Sequence, residues 1–244
     1  MNAFKNHGIE RLSASSLNTW LSSPGIWGLR YLAGFKDETA AAAARGLAVE
    51  GAMLMLLHGA KLDDATKSAL DAFEANMSGE ITDEIDAERA LIAPMLEQCL
   101  RWKKDQSILG SQIKIEHWFD GVSVPLIGYI DFTFENHPLL DLKTTKRIPS
   151  VPNPAHARQV SLYMTARQER GSLLYVSKKD KAYYEITEPQ REESLAQLHS
   201  AAISLERFLS HFDTAEDAIR ALPMDIDNFR FSDQAKLKLA EMHL

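Results

Sequence analysis

One stretch of the sequence, residues 128–146 (GYIDFTFENHPLLDLKTTK), constrains the fold more than any other part of the chain. Its first half is rich in β-branched and aromatic residues and predicts a strand that carries Asp131. Residues 135–138 have the composition of a turn, and residues 139–145 predict a second strand. Because the link is too short for a crossover, we expect the two strands to pair as an antiparallel hairpin.

The alternation of side chains along the second strand suggests a cluster of charged groups. Asp141 and Lys143 share one face of this strand, whereas Leu142 points into the predicted core. Asp131, on the paired strand, can reach the same place. Two carboxylates and an ammonium at one end of a sheet suit a hard divalent cation such as Mg²⁺, which prefers oxygen ligands. Taken alone, however, an Asp-x-Lys triplet is more often a solvated strand face than a catalytic site.

A long helix upstream of the hairpin carries a further carboxylate. Residues 39–59 combine an alanine run with leucine, methionine and valine, which predicts a helix that is buried almost all round. Glu50 shares a helix face with Leu47 and Leu54, and an isolated buried carboxylate needs a partner or a metal ion. Two interpretations remain open: Glu50 is a third metal ligand, or it forms an ion pair with Arg45 or a nearby lysine.

Two polar motifs follow the hairpin. Residues 144–147 (TTKR) form the most basic local stretch, which is either ordinary solvated charge or a phosphate track leaving a site. A helix predicted over residues 155–170 carries Gln159 and Tyr163 four positions apart, and therefore on one face. From that face, Gln159 can reach the cleft and form a hydrogen bond with a ligand or a nucleotide.

The composition of the chain excludes several kinds of protein. With 244 residues, a net charge of −7 and a pI of about 5.6, it does not bind nucleic acid through bulk positive charge. Cys99 is the one cysteine, which excludes an internal disulfide framework and an all-cysteine metal site within one chain. No apolar run has the length of a membrane span, and the N-terminus lacks the apolar core of a signal peptide. We therefore expect an intracellular protein with no membrane partner.

Periodicity predicts the remaining elements of the core. Alternating apolar and polar residues predict a strand over residues 111–119, and two further strands are expected at residues 173–176 and 182–186. Residues 83–105 carry an apolar stripe at helical spacing and predict one helix. Helices and strands in this order predict an α/β fold, with a central mixed sheet of about five strands flanked by helices.

The last quarter of the chain predicts helices alone. From residue 188 onwards, apolar residues step by three and four, which is typical of an amphipathic helix. Such a helix either docks on its own domain or provides a seam for self-association, so a homo-oligomer is one possible assembly. We expect a single domain over residues 1–244, with a core at about residues 12–187 and a helical C-terminal extension at residues 188–244.

Five segments of the chain occur in the same order as the conserved boxes of a nuclease family. They resemble the PD-(D/E)XK nuclease superfamily, in particular its RecB-like branch and the related phage exonucleases, over residues 12–186. LSASSLNTWLSSPGIWGLRYL is similar to the first helix and the following proline segment of RecB-like nucleases. GLAVEGAM resembles their Gly-x-x-x-His box, GYIDF their Gly-x-x-Asp box, DLKTTK their Asp-x-Lys box and QVSLYM their Gln-x-x-x-Tyr box. The resemblance implies a restriction-endonuclease-like core.

Three positions depart from the commonest pattern of this superfamily. Glu50 stands where most RecB-like members have histidine, although the related phage exonucleases can carry glutamate there. Asp141 stands where many relatives have glutamate, and the superfamily tolerates both residues. Ser23 stands where members with an iron–sulfur cluster have a cysteine, so no such cluster is expected.

The resemblance implies cleavage of DNA phosphodiester bonds with Mg²⁺ or Mn²⁺. By this resemblance, Glu50, Asp131 and Asp141 hold the metal ion, and the backbone carbonyl of Leu142 is a further ligand. Lys143 orients the attacking water. The metal ion acidifies that water and neutralises charge in the transition state.

The resemblance also assigns roles around the metal site. Gln159 and Tyr163 are expected to order the site and the nucleotide. Phosphate contacts are expected from the polar residues near the hairpin and at the start of the long helix: Arg45, Thr144, Thr145, Lys146 and Arg147. We find no recognition helix rich in arginine and asparagine, so the cleft is expected to engage DNA ends or single strands without reading base sequence.

These features together predict a metal-dependent exonuclease in DNA recombination, repair or phage DNA processing. The expected location is the cytoplasm of a bacterial or phage-infected cell, and the expected partners are a helicase or a single-strand annealing protein. Two alternatives stay open. One is a non-catalytic nucleic-acid-binding or assembly module with the same fold, and the other is a sequence- or structure-specific endonuclease.

Overall fold

Among the residues that the structure describes, five strands form one mixed sheet and lie in it in chain order: β1 (Ile108–His117), β2 (Leu126–Phe134), β3 (Leu139–Thr144), β4 (Gly171–Val176) and β5 (Lys181–Glu185). Antiparallel pairing joins β2 to β3 and β4 to β5, whereas β3 and β4 are parallel. This computed structural model describes residues 2–77, 82–103, 106–227 and 231–242. The predicted mixed sheet and the predicted hairpin are both confirmed.

Helices account for the rest of the regular structure. In the described part of the chain they are α1 (Ala3–Asn6), α2 (Ala14–Ser22), α3 (Pro24–Tyr31), α4 (Ala41–Leu57), α5 (Leu62–Asn76), α6 (Asp83–Arg89), α7 (Ile92–Lys103), α8 (Pro154–Arg167), α9 (Glu188–Leu209), α10 (Ala215–Arg220) and α11 (Asp233–Glu241). The last three lie in the predicted helical extension, of which residues 228–230 and 243–244 are outside the described part. None of these helices is long and apolar enough to cross a membrane.

The chain forms two compact units: the first contains both ends of the chain, and the second contains most of the sheet. In the first unit, α9 packs against α1 and α2 and buries Leu198, Leu205 and Leu209. Trp20 Nε1, on α2, donates a hydrogen bond to Ser204 Oγ at 3.1 Å. The apolar stripe of α9 is therefore covered within the chain. The first unit comprises residues 1–38, 115–128 and 188–244, and the second comprises residues 39–114 and 129–187.

The core of the second unit joins the sheet to α4, α5 and α7. The side chains that the sheet contributes to it include Phe132, Leu140, Leu142 and Leu174. The predicted inward orientation of Leu142 is confirmed, because this side chain is buried in that cluster. Alternation along β3 then directs Asp141 and Lys143 to the opposite face.

Helix α8 covers that opposite face of β3 and β4. It packs on Gly171 so closely that a Cβ atom there would lie 2.5 Å from Met164 Cγ and 2.7 Å from Val160 Cγ1. The glycine therefore allows the helix to approach the sheet. The side chains of α8 that face the sheet lie next to those of Asp141 and Lys143.

The prediction of one helix over residues 83–105 is wrong, because α6 ends at Arg89 and α7 begins at Ile92. Pro94 explains the break. A proline has no N–H group for the carbonyl of Ala90, and in a continuous helix its ring would clash with that carbonyl. In α7, Pro94 lies in the first turn, where the missing donor is tolerated. Residues 104–105 of the predicted helix lie outside the described part of the chain.

The long helix α4 is confirmed, but the prediction that it is buried almost all round is wrong. Its buried residues follow one stripe at spacings of three and four. Leu47 is 58% exposed, and Glu50 is only half-buried. The apolar composition of α4 therefore exceeds what the core of the second unit covers, and Glu50 lies at the border of that core.

Candidate active site

The antiparallel hairpin brings Asp131 directly opposite Asp141. Phe132 pairs with Leu140 in the register of β2 and β3, so the adjacent cross-strand pair is Asp131 and Asp141. Asp131 is 8% exposed, and Asp141 is fully buried. Asp131 Oδ2 accepts a hydrogen bond from the backbone N–H of Leu142 at 2.8 Å. Two carboxylates therefore lie side by side in a buried environment.

Lys143 connects this pair to helix α8. Its Nζ lies 2.7 Å from Asp141 Oδ2 and donates a hydrogen bond to Gln159 Oε1 at 3.2 Å. The amide of Gln159 in turn donates to the hydroxyl of Tyr163 at 2.7 Å. The predicted residues Asp141, Lys143, Gln159 and Tyr163 thus form one continuous line of polar contacts. Lys143 is the accessible member of its ion pair, with a side chain 22% exposed against 0% for Asp141.

Glu50 approaches the site from α4. Its Oε1 accepts a hydrogen bond from the side-chain amide of Gln112, on β1. The ion pair with Arg45, which the sequence left open, does not form, since Arg45 binds Glu88. Glu50 is close enough to Asp141 and Lys143 for their charges to influence its protonation. The structure therefore brings Glu50 to the neighbourhood of the hairpin carboxylates.

Burial and mutual repulsion act on all three carboxyl groups. Burial raises the pKa of Asp131 well above its ordinary value, and the charges of Asp141 and Glu50 raise it further. Burial also raises the pKa of Glu50 and of Asp141, although Lys143 partly offsets the effect at Asp141. The site therefore holds more negative charge than its surroundings favour, which is the electrostatic condition for binding a cation.

Burial and the neighbouring charges have opposing effects on the pKa of the Lys143 ammonium. Burial lowers its pKa, but the charges of Asp141 and Asp131 outweigh burial and raise the pKa above the ordinary value of lysine. Lys143 is therefore protonated throughout the physiological pH range. In the metal-free protein it therefore donates hydrogen bonds and carries positive charge.

The side chains present fit a magnesium-like ion with few protein ligands. No group of three or more His, Cys, Asp or Glu side chains in the described ranges lies close enough together to enclose a metal ion. Mg²⁺ does not need such a cage, because it binds through one or two carboxylates together with waters and phosphate oxygens. Asp141 Oδ1 is buried and has no hydrogen-bond partner among the described residues. Asp141 and Asp131 are therefore the side chains best suited to hold such an ion.

A second polar network lies where β3 ends. Arg45 is buried, binds the buried carboxylate of Glu88 and donates from Nη2 to Thr144 Oγ1 at 3.2 Å. Lys146 Nζ lies 2.5 Å from the other oxygen of Glu88, while its own side chain remains 67% exposed. Of the residues predicted to contact phosphate, Lys146 thus lies at the surface and Arg45 lies beneath it.

The remaining predicted phosphate contacts form a turn after β3. The hydroxyl of Thr145 donates to the backbone carbonyl of Arg147 at 2.8 Å and accepts from its N–H. The backbone N–H of Thr145 donates to the carbonyl of Val176 at 2.9 Å. Arg147 is exposed. Thr145 therefore shapes the backbone of this turn, and Arg147 presents its charge to solvent.

A histidine that the sequence did not single out lies beside Lys143. Lys143 pairs with Tyr175 in the parallel register of β3 and β4, and Tyr175 Oη lies 2.9 Å from His156 Nδ1. Burial, and then the charge of Lys143, lower the pKa of His156 to about 4. His156 is therefore neutral at physiological pH and adds no positive charge to the site.

A cavity of about 670 Å³ opens beside the hairpin turn. Thr133 lines it and lies two residues from Asp131 on the same face of β2. Arg167 and Arg170 also line it, and they are paired with Glu169 and Glu185 at 2.9 and 3.4 Å. The cavity carries little uncompensated positive charge, and the side chains of Asp131, Asp141 and Lys143 do not line it.

Besides His156, sequence reasoning missed two residues of the site region, Gln112 and Glu88. Gln112 looks like an ordinary outward-facing polar residue of a strand, and its contact with Glu50 spans 62 positions in the chain. Glu88 lies in a helix of strongly charged composition (DEIDAER), which is typical of a solvent-exposed helix. Neither position carries a local signal that would have identified it.

A family model and two solved structures are similar to this chain. The family model of the PD-(D/E)XK nuclease superfamily matches residues 11–236. A solved structure from Eubacterium rectale, described as a candidate exonuclease, has a TM-score of 0.58 and 14% identity, and the match covers 93% of this chain and 88% of that chain. The structure of SSO0001 has a TM-score of 0.35 and 18% identity, with 65% and 84% of the two chains covered.

None of the curated proteins compared with this chain matches its sequence significantly. The structural likeness to the Eubacterium rectale protein supports the fold, and the family match extends over most of the sequence. The residues matched by the family model include the hairpin with Asp131, Asp141 and Lys143 and the helix with Gln159 and Tyr163. The chain therefore belongs to the PD-(D/E)XK nuclease superfamily.

Proposed function

We propose that this protein is a DNA nuclease that hydrolyses phosphodiester bonds with Mg²⁺ or Mn²⁺. The observation that carries the proposal is the pair of buried, opposed carboxylates, Asp131 and Asp141, with the Lys143 ammonium 2.7 Å from Asp141. In a member of a nuclease superfamily, this arrangement concentrates negative charge where a divalent cation is needed.

Asp131 and Asp141 are the proposed metal ligands, with Glu50 and the backbone carbonyl of Leu142 as additional ones. When bound, the divalent cation supplies an acidified water and neutralises charge on the phosphate. The hydrogen bond from the Leu142 N–H holds Asp131 in place, since it fixes Oδ2 at 2.8 Å. This backbone contact limits the motion of Asp131 relative to β3 and keeps the two carboxylates opposed.

Lys143 acts as a donor in this proposal. Its raised pKa keeps the ammonium protonated, so it orients the attacking water or stabilises negative charge on the phosphate and does not act as a base. Gln159 Oε1 accepts one of its protons and Tyr163 holds the amide of Gln159, so the two α8 residues set the direction of Nζ. We assign Gln159 and Tyr163 this orienting role.

The proposed phosphate contacts differ in their accessibility. Lys146 and Arg147 are exposed and can meet a phosphate directly. Thr144 and Thr145 shape the chain that presents them, through the bonds to Arg45 and Arg147. Arg45 is buried, so its proposed contribution is indirect: it holds Thr144 at the end of β3.

We further propose an exonuclease of the RecB-like branch that acts on DNA ends or single strands in recombination, repair or phage DNA processing. The box order GLAVEGAM, GYIDF, DLKTTK and QVSLYM supports this assignment, as does the description of the Eubacterium rectale protein as a candidate exonuclease. We propose that residues 1–244 work as a single nuclease domain, alone or as a homo-oligomer, alongside a helicase or an annealing protein.

The experiment that tests this proposal compares linear and closed circular single-stranded DNA of the same sequence, with Mg²⁺, Mn²⁺ or EDTA. An exonuclease degrades only the linear form and stops when EDTA removes the metal ion. Cleavage of the circle would replace the exonuclease with an endonuclease. Absence of cleavage of both forms with either metal ion, and of linear and closed circular double-stranded DNA as well, would contradict the nuclease itself and favour a nucleic-acid-binding module.

A further inference from the structure

The backbone of Gln112 adopts an unfavourable conformation in the middle of strand β1. Its φ is +50°, in the left-handed region that side chains with a Cβ atom rarely occupy. In the described part of the chain, the other non-glycine residue with positive φ is Gln168, at the C-cap of α8. A left-handed residue is common at a helix C-terminus but not within a strand. The conformation of Gln112 therefore needs an explanation that its element does not supply.

The part of the chain just before Gln112 is bonded to β2 and to the residue that follows β2. Thr133 Oγ1 donates to the carbonyl of Gly110 at 3.3 Å, and the backbone N–H of Glu135 donates to the carbonyl of Ser107 at 3.1 Å. Gly110 is tightly enclosed, because a Cβ atom there would lie 2.9 Å from Ile113 Cδ1. The strand before Gln112 is thus anchored, and Gln112 is the residue of β1 with positive φ.

The side chain of Gln112 makes one specific contact with the candidate site. Its Nε2 donates to Oε1 of Glu50, although Gln112 itself is exposed. The amide of Gln112 therefore orients the carboxylate of Glu50.

The chemistry of an amide suits this position. A neutral amide donates a hydrogen bond to a carboxylate without cancelling its negative charge, whereas a lysine or an arginine would compete with a metal ion. Residues that hold a metal ligand from behind commonly fix its orientation in this way. Strained backbone is also concentrated at functional sites, where the surrounding structure maintains it.

We propose that Gln112 is a positioning residue that orients Glu50 toward a divalent cation held by Asp131 and Asp141, at the expense of local backbone stability. This inference rests on the proposed nuclease function and deepens it. It assigns a role to β1, which the sequence boxes do not include. It also predicts that replacing Gln112 by glycine raises the stability of the metal-free protein and lowers the affinity of the site for a metal ion.

The test is the melting temperature of the full chain with and without Mn²⁺, for wild type and Gln112→Gly. Glycine adopts positive φ without strain, so we expect the metal-free melting temperature of Gln112→Gly to rise. We expect the Mn²⁺ concentration at half of the thermal shift to rise roughly 10- to 100-fold, the usual effect of removing a residue that supports a metal ligand. Replacing a merely structural residue would not raise the stability of the metal-free protein and weaken Mn²⁺ binding at the same time.

Two further variants sharpen the result. Gln168→Gly also relieves a positive φ, but at the end of α8, so it should raise the metal-free melting temperature and leave the Mn²⁺ midpoint unchanged. When Gln112→Gly is made in the Glu50→Gln variant, it should cause no further change in the Mn²⁺ midpoint, because Gln112 is proposed to act through Glu50. Wild-type stabilisation by Mn²⁺ together with an unchanged midpoint in Gln112→Gly would overturn the role of Gln112 alone. If Mn²⁺ does not stabilise the wild type at all, the proposed metal site fails and this inference fails with it.

Discussion

Asp131 and Asp141 lie opposite each other across the β2–β3 hairpin, both buried, with Lys143 paired to Asp141 at 2.7 Å. Burial disfavours the charged form of each carboxyl group, and the charge of Asp141 further disfavours ionisation of Asp131. A hydrophobic or neutral pair in these positions would make a more stable protein. The burial of two opposed carboxylates therefore costs stability, as expected if the pair serves the proposed binding of a divalent cation.

The first prediction concerns Asp131→Asn in the absence of metal ions. The pKa of Asp131 is raised in the folded state, so the folded protein holds this proton more tightly than the unfolded chain does. The stability that the protonated Asp131 contributes is complete at pH values below the pKa of aspartate in the unfolded chain, about 3.9. It is lost as the pH rises through the pKa of Asp131 in the folded protein. We expect Asp131→Asn to stabilise the metal-free protein at pH 7, with a gain that disappears toward pH 4.

Urea unfolding in EDTA, at a series of pH values, measures this gain. Asparagine can still accept the hydrogen bond from Leu142, so the substitution removes mainly the charge. Glu135→Gln, which changes an exposed carboxylate of the same hairpin, serves as the control and should show no comparable gain. A destabilised Asp131→Asn protein at pH 7 would contradict this view of the pair.

The second prediction ranks the two residues of α8. Gln159 contacts Lys143 directly, whereas Tyr163 acts through Gln159. We expect Gln159→Leu to lower the rate of cleavage more than Tyr163→Phe, which keeps the ring and removes one hydrogen bond, with a stability cost of about 1 kcal/mol. Single-turnover cleavage rates and urea unfolding of both variants provide the comparison. Equal rates for the two variants, or a larger loss in Tyr163→Phe, would argue against the order Lys143–Gln159–Tyr163.

The third prediction concerns the buried carboxylate of Glu88. It is 1% exposed and neutralises Arg45, which is 4% exposed. Glu88→Gln leaves a buried guanidinium without its counter-charge, so we expect a loss of about 3–5 kcal/mol in the free energy of unfolding. Urea unfolding measures the loss, and Glu84→Gln, on the exposed side of the same helix, is the matched control. A loss no larger than that of the control would mean that the pair does not stabilise the fold.

The fourth prediction concerns Lys146 and the affinity for DNA. Its side chain is exposed, and in the absence of DNA its ammonium forms an ion pair with Glu88. It can therefore exchange this carboxylate for a phosphate of DNA. Lys146→Ala should weaken binding of single-stranded DNA regardless of sequence. It should also reduce the slope of log affinity against log salt by about 0.7, the contribution of one phosphate contact. Fluorescence anisotropy in EDTA avoids cleavage, and Lys178→Ala, in the exposed β4–β5 turn, should leave the slope unchanged.

Much of the hairpin and of α8 could be predicted from the sequence because the relevant relationships are local. The period of two in a strand determines that Asp141 and Lys143 share a face, and the short turn determines that Asp131 lies on the paired strand. The helical spacing of four determines that Gln159 and Tyr163 meet. These rules need only neighbouring residues, and the structure brings together the residues that they single out.

The contacts that escaped prediction depend on distant parts of the chain. Arg45 binds Glu88 across 43 positions, and no pattern in either helix indicates the choice of partner. The contact of Gln112 with Glu50 depends on a backbone angle that the residue type disfavours, so local preference predicts against it. The exposure of Leu47 was missed for a related reason: composition alone does not reveal how much of an apolar helix its neighbours cover.

The most direct test of the central claim is cleavage of end-labelled linear DNA, single- and double-stranded, with Mg²⁺ or Mn²⁺. The variants are Lys143→Ala and, as a control for loss of a lysine elsewhere, Lys178→Ala. We predict metal-dependent release of nucleotides by the wild type and the control, and a decrease of about 100- to 1,000-fold in Lys143→Ala, the usual effect of removing a donor to a developing charge. No cleavage by the wild type, or equal cleavage by Lys143→Ala, would contradict the account.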